Sequence, residues 1–512
     1  MRSRLCLAVA VALPLVVTSL AGAASADELH YETFRFGQRA HGMGGAVMAL
    51  PGEPEATFYN PAGLSLLGAG QFSGALQFYG LERRTLRKSF RARDWFTPLD
   101  ETSDAFLALP SSSVIAKPVG DDGAHVFAFS TFLVDRTVES FSGSHQQSLV
   151  DFGFDEIRYT SSRALDDQVV YIGGSWSWRL NPDLSLGLSV FYARRDERRS
   201  QQKSEVLTSV DANGQQSDHF LTVTNNATIN DGALLARIGA YWKPSKQVAL
   251  GLACSTQSVR LHGTAELGFG ITYSGEPDDP EFKPLLLNEI RKDIDATTVY
   301  PWNCRAGVAW QASPWLLLST DVSLYLPNSY TRLDVDADTR DLFNTDSQVV
   351  NEFESDLLIN GAIGVELRPS PRWPIRAGFF TNRSAAPDIS DSPRASALPQ
   401  VHLYGATTSF GYVGDTRSIN LGAEVQWGQG DDVVVRDLSD LISEPTFVRV
   451  DREQFRFLFF ISGAFEFAKA TALDLIKDDE PAADDPAAAP ADPVVPADAS
   501  PAPALTPQPP LP

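Results

Sequence analysis

Cysteine and methionine are scarce in this chain, three of each in 512 residues, and Cys6 lies in the N-terminal leader. The two remaining cysteines, Cys254 and Cys304, cannot staple a scaffold of this length, so a disulfide-dense fold is excluded. On the strand pattern set out below they fall on neighbouring strands, which leaves open one cross-strand bridge or two unpaired lipid-facing thiols. Positive charge is also in short supply. A formal net charge of -22 argues against nucleic acid as a partner, and much of it sits in loops and at the C-terminus. Past the leader no run of about eighteen apolar residues occurs, which excludes spanning helices but not spanning strands, since a strand needs only about nine to eleven residues. Catalytic constellations are missing as well. His30, His41, His125, His145, His219, His262 and His402 are scattered without metal-ligand spacing, and neither a Gly-x-Ser-x-Gly elbow nor a phosphate loop occurs. The expectation is a protein that is not an enzyme and holds no metal or cofactor. The acidic stretch Glu276-Pro277-Asp278-Asp279 reads as solvated charge rather than a calcium loop.

What the chain does have begins with its first residues. Arg2 and Arg4, an apolar stretch from Leu5 to Leu20, and Ala24-Ser25-Ala26 before Asp27 make a cleavable secretory signal over 1–26. Cys6 does not follow the cleavage site, so a lipoprotein anchor is not supported.

Six of the nine tryptophans, Trp176, Trp178, Trp242, Trp310, Trp315 and Trp373, lie close to tight turns between runs of alternating apolar and polar residues. In VVYIGGSWSWRLNPDLSLGLSVFY, Val170, Ile172, Trp176, Trp178 and Leu180 share one face, and Leu184, Leu186, Leu188 and Val190 resume the pattern after Asn181-Pro182-Asp183. A period of two with small or polar residues opposite fits strands between lipid and a polar lumen, with aromatic residues forming an interfacial girdle.

Turn signals and alternation together place strands near 71–86, 111–118, 124–138, 167–180, 184–200, 230–243, 247–262, 297–311, 315–331, 350–367, 373–384, 401–412, 417–429 and 450–467. The expected fold is an all-β, 14-stranded antiparallel transmembrane β-barrel over 71–467. Short turns such as NPD and PSK alternate with long polar loops of about fifteen to thirty-five residues, the topology of outer-membrane barrels. Gly173, Gly251, Gly364 and Gly422 fall mostly on the inward face, leaving room for whatever fills the lumen. The closing strand DREQFRFLFFISGAFEF carries an aromatic ladder that resembles the signal read by the outer-membrane barrel assembly machinery. It departs from that pattern by not ending the protein. Residues 468–512 form a Pro-, Ala- and Asp-rich segment unable to bury enough surface to fold, expected as a disordered acidic tail in the periplasm.

Residues 27–70 are not barrel-like. RFGQRAHGMGGAVMALPGEPEATFYNPAGLSLLGAG is too long and too apolar for a solvated leader, and a plug inside the lumen would give its apolar residues a core to join. The pair GMGGA and FYNPAGL, directly after a signal and before barrel strands, resembles the N-terminal hatch of the FadL/TodX family of outer-membrane channels for long-chain fatty acids and other hydrophobic compounds. That resemblance implies a hatch that obstructs the channel and rearranges when ligand binds, releasing it through an opening in the barrel wall into the membrane of a Gram-negative-type bacterium. It carries over to Gly42, Met43, Gly44, Gly45, Ala46, Asn60, Pro61 and Ala62. The structural alternative for the same residues is close backbone approach at the glycines and an Asn-Pro turn. The position of the wall opening is not readable from alternation.

A carboxylate head on the ligand would want an inward cation. Arg179, Arg305 and Arg376 qualify by face parity, with Asp321, Glu366 and Glu424 as alternative lumen partners. Basic clusters at Arg83, Arg84, Arg87, Lys88, Arg91 and Arg93, and at Arg194, Arg195, Arg198, Arg199 and Lys203, sit at outward strand ends. There they would meet lipopolysaccharide phosphates or act as ordinary rim charges. The expected activity is passive uptake of hydrophobic small molecules by a monomeric barrel held in outer-membrane lipid. A structural or surface-binding barrel that transports nothing is the first rival, and a barrel lipid hydrolase the second.

Overall fold

The computed structural model describes residues 29–90, 99–120, 123–148, 155–210, 213–274, 284–336, 352–391, 393, 397–435 and 447–467. The chain divides into the units Met1–Ala468 and Lys469–Pro512. The second unit and the signal both lie outside the described residues, as do Arg91 and Arg93.

The described strands are β1 (Gln71–Phe90), β2 (Leu99–Val119), β3 (His125–Gln147), β4 (Glu156–Asn181), β5 (Leu184–Val210), β6 (Gln216–Trp242) and β7 (Val248–Ser255). They continue as β8 (Val259–Tyr273), β9 (Leu285–Ala296), β10 (Asn303–Ser313), β11 (Leu316–Tyr325), β12 (Asn328–Thr331), β13 (Leu333–Asp334), β14 (Glu352–Ser355), β15 (Leu358–Ser370), β16 (Trp373–Asn382), β17 (Gln400–Val413), β18 (Arg417–Val435) and β19 (Phe447–Glu466). β1 through β7, then β10, β11 and β15 through β19, pair antiparallel in sequence, and β19 returns to β1 with Gln71 opposite Glu466. The result is a closed 14-stranded barrel, in which no first or last strand is left open to lipid.

The outer face is apolar by alternation. Leu186, Leu188, Val190, Ile238 and Leu252 are exposed, and Trp176, Trp178, Trp242, Trp315 and Trp373 are exposed beside the short turns. Cys254 and Cys304 are opposite one another on β7 and β10 and are disulfide-bonded, which decides between the two readings left open above.

Two expectations are corrected. Much of what reads as long polar loop is strand. β6 runs from Gln216, and β8 pairs with it from Leu221↔Tyr273 to Leu234↔Val259. The cause is an inversion of phase along one strand. On β6 the outward residues Leu234, Ile238 and Trp242 are apolar, whereas further out the outward positions are Thr222, Thr224, Asn226 and Thr228. There the apolar residues Leu221, Val223 and Ile229 turn inward and form a core with Tyr159, Leu267 and Phe269. The flip from apolar-out to apolar-in breaks the periodicity that marks a lipid-facing strand. The basic clusters also divide by face. Arg83, Arg87 and Arg194 are exposed, but Arg84, Arg195 and Lys203 are buried inside. Arg84 pairs with Glu82 and Glu139, and Arg195 with Asp167 and Glu197.

Residues 29–70 lie within the ring of strands. They contain the short helices Gln38–Gly42 and Ala56–Tyr59 and a 3-10 turn at Pro61–Leu66, in which Asn60 caps Ala62 N–H at 3.2 Å. Inward hydroxyls of the wall bind this segment's carbonyls: Ser177 donates to Ala62 at 3.1 Å, Ser189 to Thr57 at 2.8 Å and Thr407 to Gly42 at 3.0 Å. Inward glycines let its backbone approach. A β-carbon at Gly251 would overlap Met48, and one at Gly364 would overlap Met43.

Candidate functional site

The inner segment stops short of filling the barrel. A cavity remains, lined by the segment itself through Tyr31, Phe34, Arg35, Phe58 and Tyr59, and by wall residues of β3 to β7, β10 and β11. Phe58 packs against Phe36 at 4.7 Å and Phe132 at 5.1 Å between ring centroids, so the floor is an aromatic cluster shared by segment and wall.

The cavity reaches the wall at Val134 and Asp135. There the barrel is split. β2 pairs with β3 only from Val119↔His125 to Ser112↔Phe132. Beyond that level β2 continues on β1 to Leu99 and β3 continues on β4 to Gln147, with no ladder between β2 and β3 among the described residues. The strands meet again where Ser140 N–H donates to Ser103 Oγ at 2.8 Å. Between those limits β2 and β3 run without a ladder among the described residues, a β2–β3 window in the hydrogen-bonded wall. Two local features account for it. Pro110 has no N–H to offer a neighbouring strand. Val134 is an extra residue in β3, since the register with β4 slips between Leu133 and Asp135, and such a bulge bends its strand.

The sequence-derived hatch residues pack where the segment meets the wall. Gly44 and Gly45 take φ of 64° and 86°, a left-handed backbone that glycine adopts without strain, and both border the cavity. Met43 is fully buried, and Ala46 packs with Ala362 and Phe380. Asn60 Nδ2 donates to the carbonyls of Met48 at 3.0 Å and Ala240 at 2.9 Å, while Pro61 and Ala62 abut Gly187. Asp321 accepts the N–H groups of Val47 at 2.8 Å and Met48 at 3.0 Å.

Of the three candidate arginines only Arg305 lines the cavity. It donates to Gly45 O at 2.6 Å and pairs with Asp321 at 3.4 Å and Glu32 at 3.9 Å. Arg376 is bound to Glu366 at 2.6 Å and Asn420 at 3.0 Å and borders a second, polar cavity instead; Arg179 lies 3.4 Å from Ser65 O and lines neither. The cavity's other arginines, Arg35, Arg195 and Arg237, lie outside the ligand-candidate set of Arg179, Arg305 and Arg376. Arg237 was within reach of it, because it shares the inward parity of Gly239 and Tyr241 on β6. The second cavity lies on the side of the inner segment that carries Arg39, Glu53 and Glu55. Glu55, 2 % exposed and hydrogen-bonded to Ser73 of β1, has its carboxyl pushed up to about 7, chiefly by burial and further by Glu53.

None of the described helices is long and apolar enough to cross a membrane; the apolar belt belongs to strands. No curated protein matches the chain. Among solved structures the fold is similar to a Pseudomonas aeruginosa FadL homologue at 13 % identity, with a TM-score of 0.55 over 86 % of this chain and 100 % of that one. It is similar also to the toluene transporter TodX of P. putida, at 13 % identity and a TM-score of 0.52 over 85 % and 99 %. The model of the family described as outer membrane protein transport protein (OMPP1/FadL/TodX) matches residues 150–442, more than half of the sequence, and the chain belongs to that family of outer-membrane transport proteins.

Proposed function

We propose that this protein is a passive channel for hydrophobic small molecules, in which residues 29–70 act as a hatch and the β2–β3 window is the lateral exit to lipid. The observation that carries the reading is the meeting of the aromatic cavity with the split wall at Val134 and Asp135. Burial of an acyl or aryl group in such a cavity stabilises it by about 0.8 kcal/mol per methylene. A ligand of that kind binds well and leaves slowly. A mobile hatch weakens the site, and a wall window lets the ligand pass to acyl tails without crossing water. Long-chain fatty acids and, by likeness to a protein described as a toluene transporter, monoaromatic hydrocarbons are the candidate cargo.

On this reading Gly44 and Gly45 are hatch positions that sense the occupied cavity, and Arg305, alone among Arg179, Arg305 and Arg376 in lining it, is placed to feel a ligand. The exposed guanidinium groups of Arg83, Arg87 and Arg194 would face lipopolysaccharide phosphates, and β19 would serve the assembly machinery. The test is uptake of labelled oleate and toluene by cells lacking the protein, with and without complementation. Restored uptake of either supports the channel; uptake that is the same in both strains removes it.

A further inference from the structure

We infer that the preferred ligand of the central cavity is an aromatic compound bearing an anionic oxygen group, an aromatic carboxylate being the simplest, with Arg237 holding the anion and the Tyr300 hydroxyl donating to it. This rests on the channel reading and narrows it.

The lining chooses rings over chains. Nine of the residues around the cavity are Phe or Tyr, against four Leu or Val, so rings outnumber branched aliphatic side chains in the lining. The rings already meet in stacked and edge-on pairs, Tyr31 with Tyr325 at 4.7 Å and Tyr171 with Tyr300 at 5.7 Å. Such surfaces gain more from a flat guest with its own quadrupole than from a flexible chain.

The polar groups choose an anion. Four guanidinium groups line the cavity, and three are matched by carboxylates: Arg35 by Glu424 at 3.2 Å, Arg195 by Asp167 at 2.9 Å and Arg305 by Asp321 at 3.4 Å. Arg237 has no carboxylate partner among the described residues. Its Nε donates to Ser255 Oγ at 2.7 Å, its Cζ sits 4.9 Å from the Phe58 ring, and neither terminal nitrogen has a hydrogen bond among the described residues. A cation in an aromatic cavity without a counter-ion is unfavourable unless something supplies one, and its planar fork suits a carboxylate. Tyr300 adds a second unspent donor, since its hydroxyl is buried without a partner among the described residues. Tyr171 joins the two, stacked edge-on with Tyr300 and an electrostatic neighbour of Arg237. A neutral hydrocarbon leaves both donors unsatisfied. A saturated acyl anion satisfies Arg237 but forgoes the rings.

The contact with Phe58 also ties recognition to the inner segment, because an anion drawn to the Arg237 fork competes with the face of a ring that belongs to residues 29–70.

Calorimetry on the full-length protein in nanodiscs, with empty nanodiscs subtracted, separates the alternatives using phenylpropionate, its neutral analogue propylbenzene, and the aliphatic anion nonanoate. Phenylpropionate is expected to bind tightest. Arg237→Gln should weaken it about ten- to hundredfold, the range for a hydrogen bond to a charged group, and far more than it weakens propylbenzene. Tyr300→Phe should weaken it by up to about tenfold. The inference is overturned if Arg237→Gln keeps the preference for phenylpropionate over propylbenzene, or if nonanoate binds the unaltered protein as tightly as phenylpropionate. Failure of all three probes to bind the unaltered protein would sink the channel reading itself.

Discussion

Asn60 of the inner segment lies so close to Gly239 of β6 that a β-carbon on the glycine would fall inside contact distance of Asn60 Oδ1, and Asn60 Nδ2 binds the carbonyl of the next wall residue, Ala240, at 2.9 Å. One side chain therefore fastens the segment to itself, through Met48 O, and to the barrel. Asn60→Ala leaves both carbonyls without their donor, at a cost on the order of 2 kcal/mol. The expected result is faster tryptic cleavage within residues 29–70 while the heat-modifiable mobility of the folded barrel is retained. Unchanged cleavage would show that Asn60 does not hold the segment.

Asp321, three strands further round the wall on β11, also secures the segment by accepting two of its N–H groups while pairing with Arg305. Asp321→Ala removes one partner of a buried ion pair and the oxygen that accepts both N–H groups, which typically costs about 3–5 kcal/mol. Thermal denaturation should show a lower midpoint, and Asp321→Asn, which retains an acceptor, should recover part of the loss. Equal midpoints for the two variants would contradict this account.

One of the two features behind the window is a single extra residue, Val134. Deleting Val134 restores the β3 register against β4 and allows β3 to continue along β2. Uptake of hydrophobic probe should fall to the level of cells lacking the protein, while binding measured on the purified variant persists. Full uptake by a well-folded deletion variant would place the exit elsewhere.

The Glu55 carboxyl adds a pH dependence. Its titration point is raised in the folded protein to about 7, so the neutral form favours the packed segment below the ordinary carboxylate range, and that contribution is lost as pH rises through about 7. Hydrogen exchange of residues 29–70 should therefore be slower at pH 6 than at pH 8 once corrected for intrinsic rates. Glu55→Gln should flatten the difference; a variant with the same pH profile as the parent would assign it to another group.

Sequence alone determined what is local. Alternation such as that of Leu186, Leu188 and Val190, the tryptophans beside short turns, and the motifs GMGGA and NPAGL suffice for strands, girdle and inner segment, because period two and turn chemistry act between residues close along the chain. Tertiary structure decided three things. The expected strand begins at Ser111, just past Pro110, yet Pro110 lies within β2 at the level where β3 departs, since only a neighbour across the sheet reveals which edge goes unpaired. The phase flip along β6 reads as the onset of a loop, because nothing local says that water has replaced lipid outside and a core has formed within. Face parity picks out Arg305 and Arg376 as inward, and Arg237, which the sequence reading passed over, shares that inward parity with Gly239 and Tyr241. Their heights along the bore, and the strands they face across it, bind the first to Asp321 and the second to Glu366 and leave the third with only a serine and a ring.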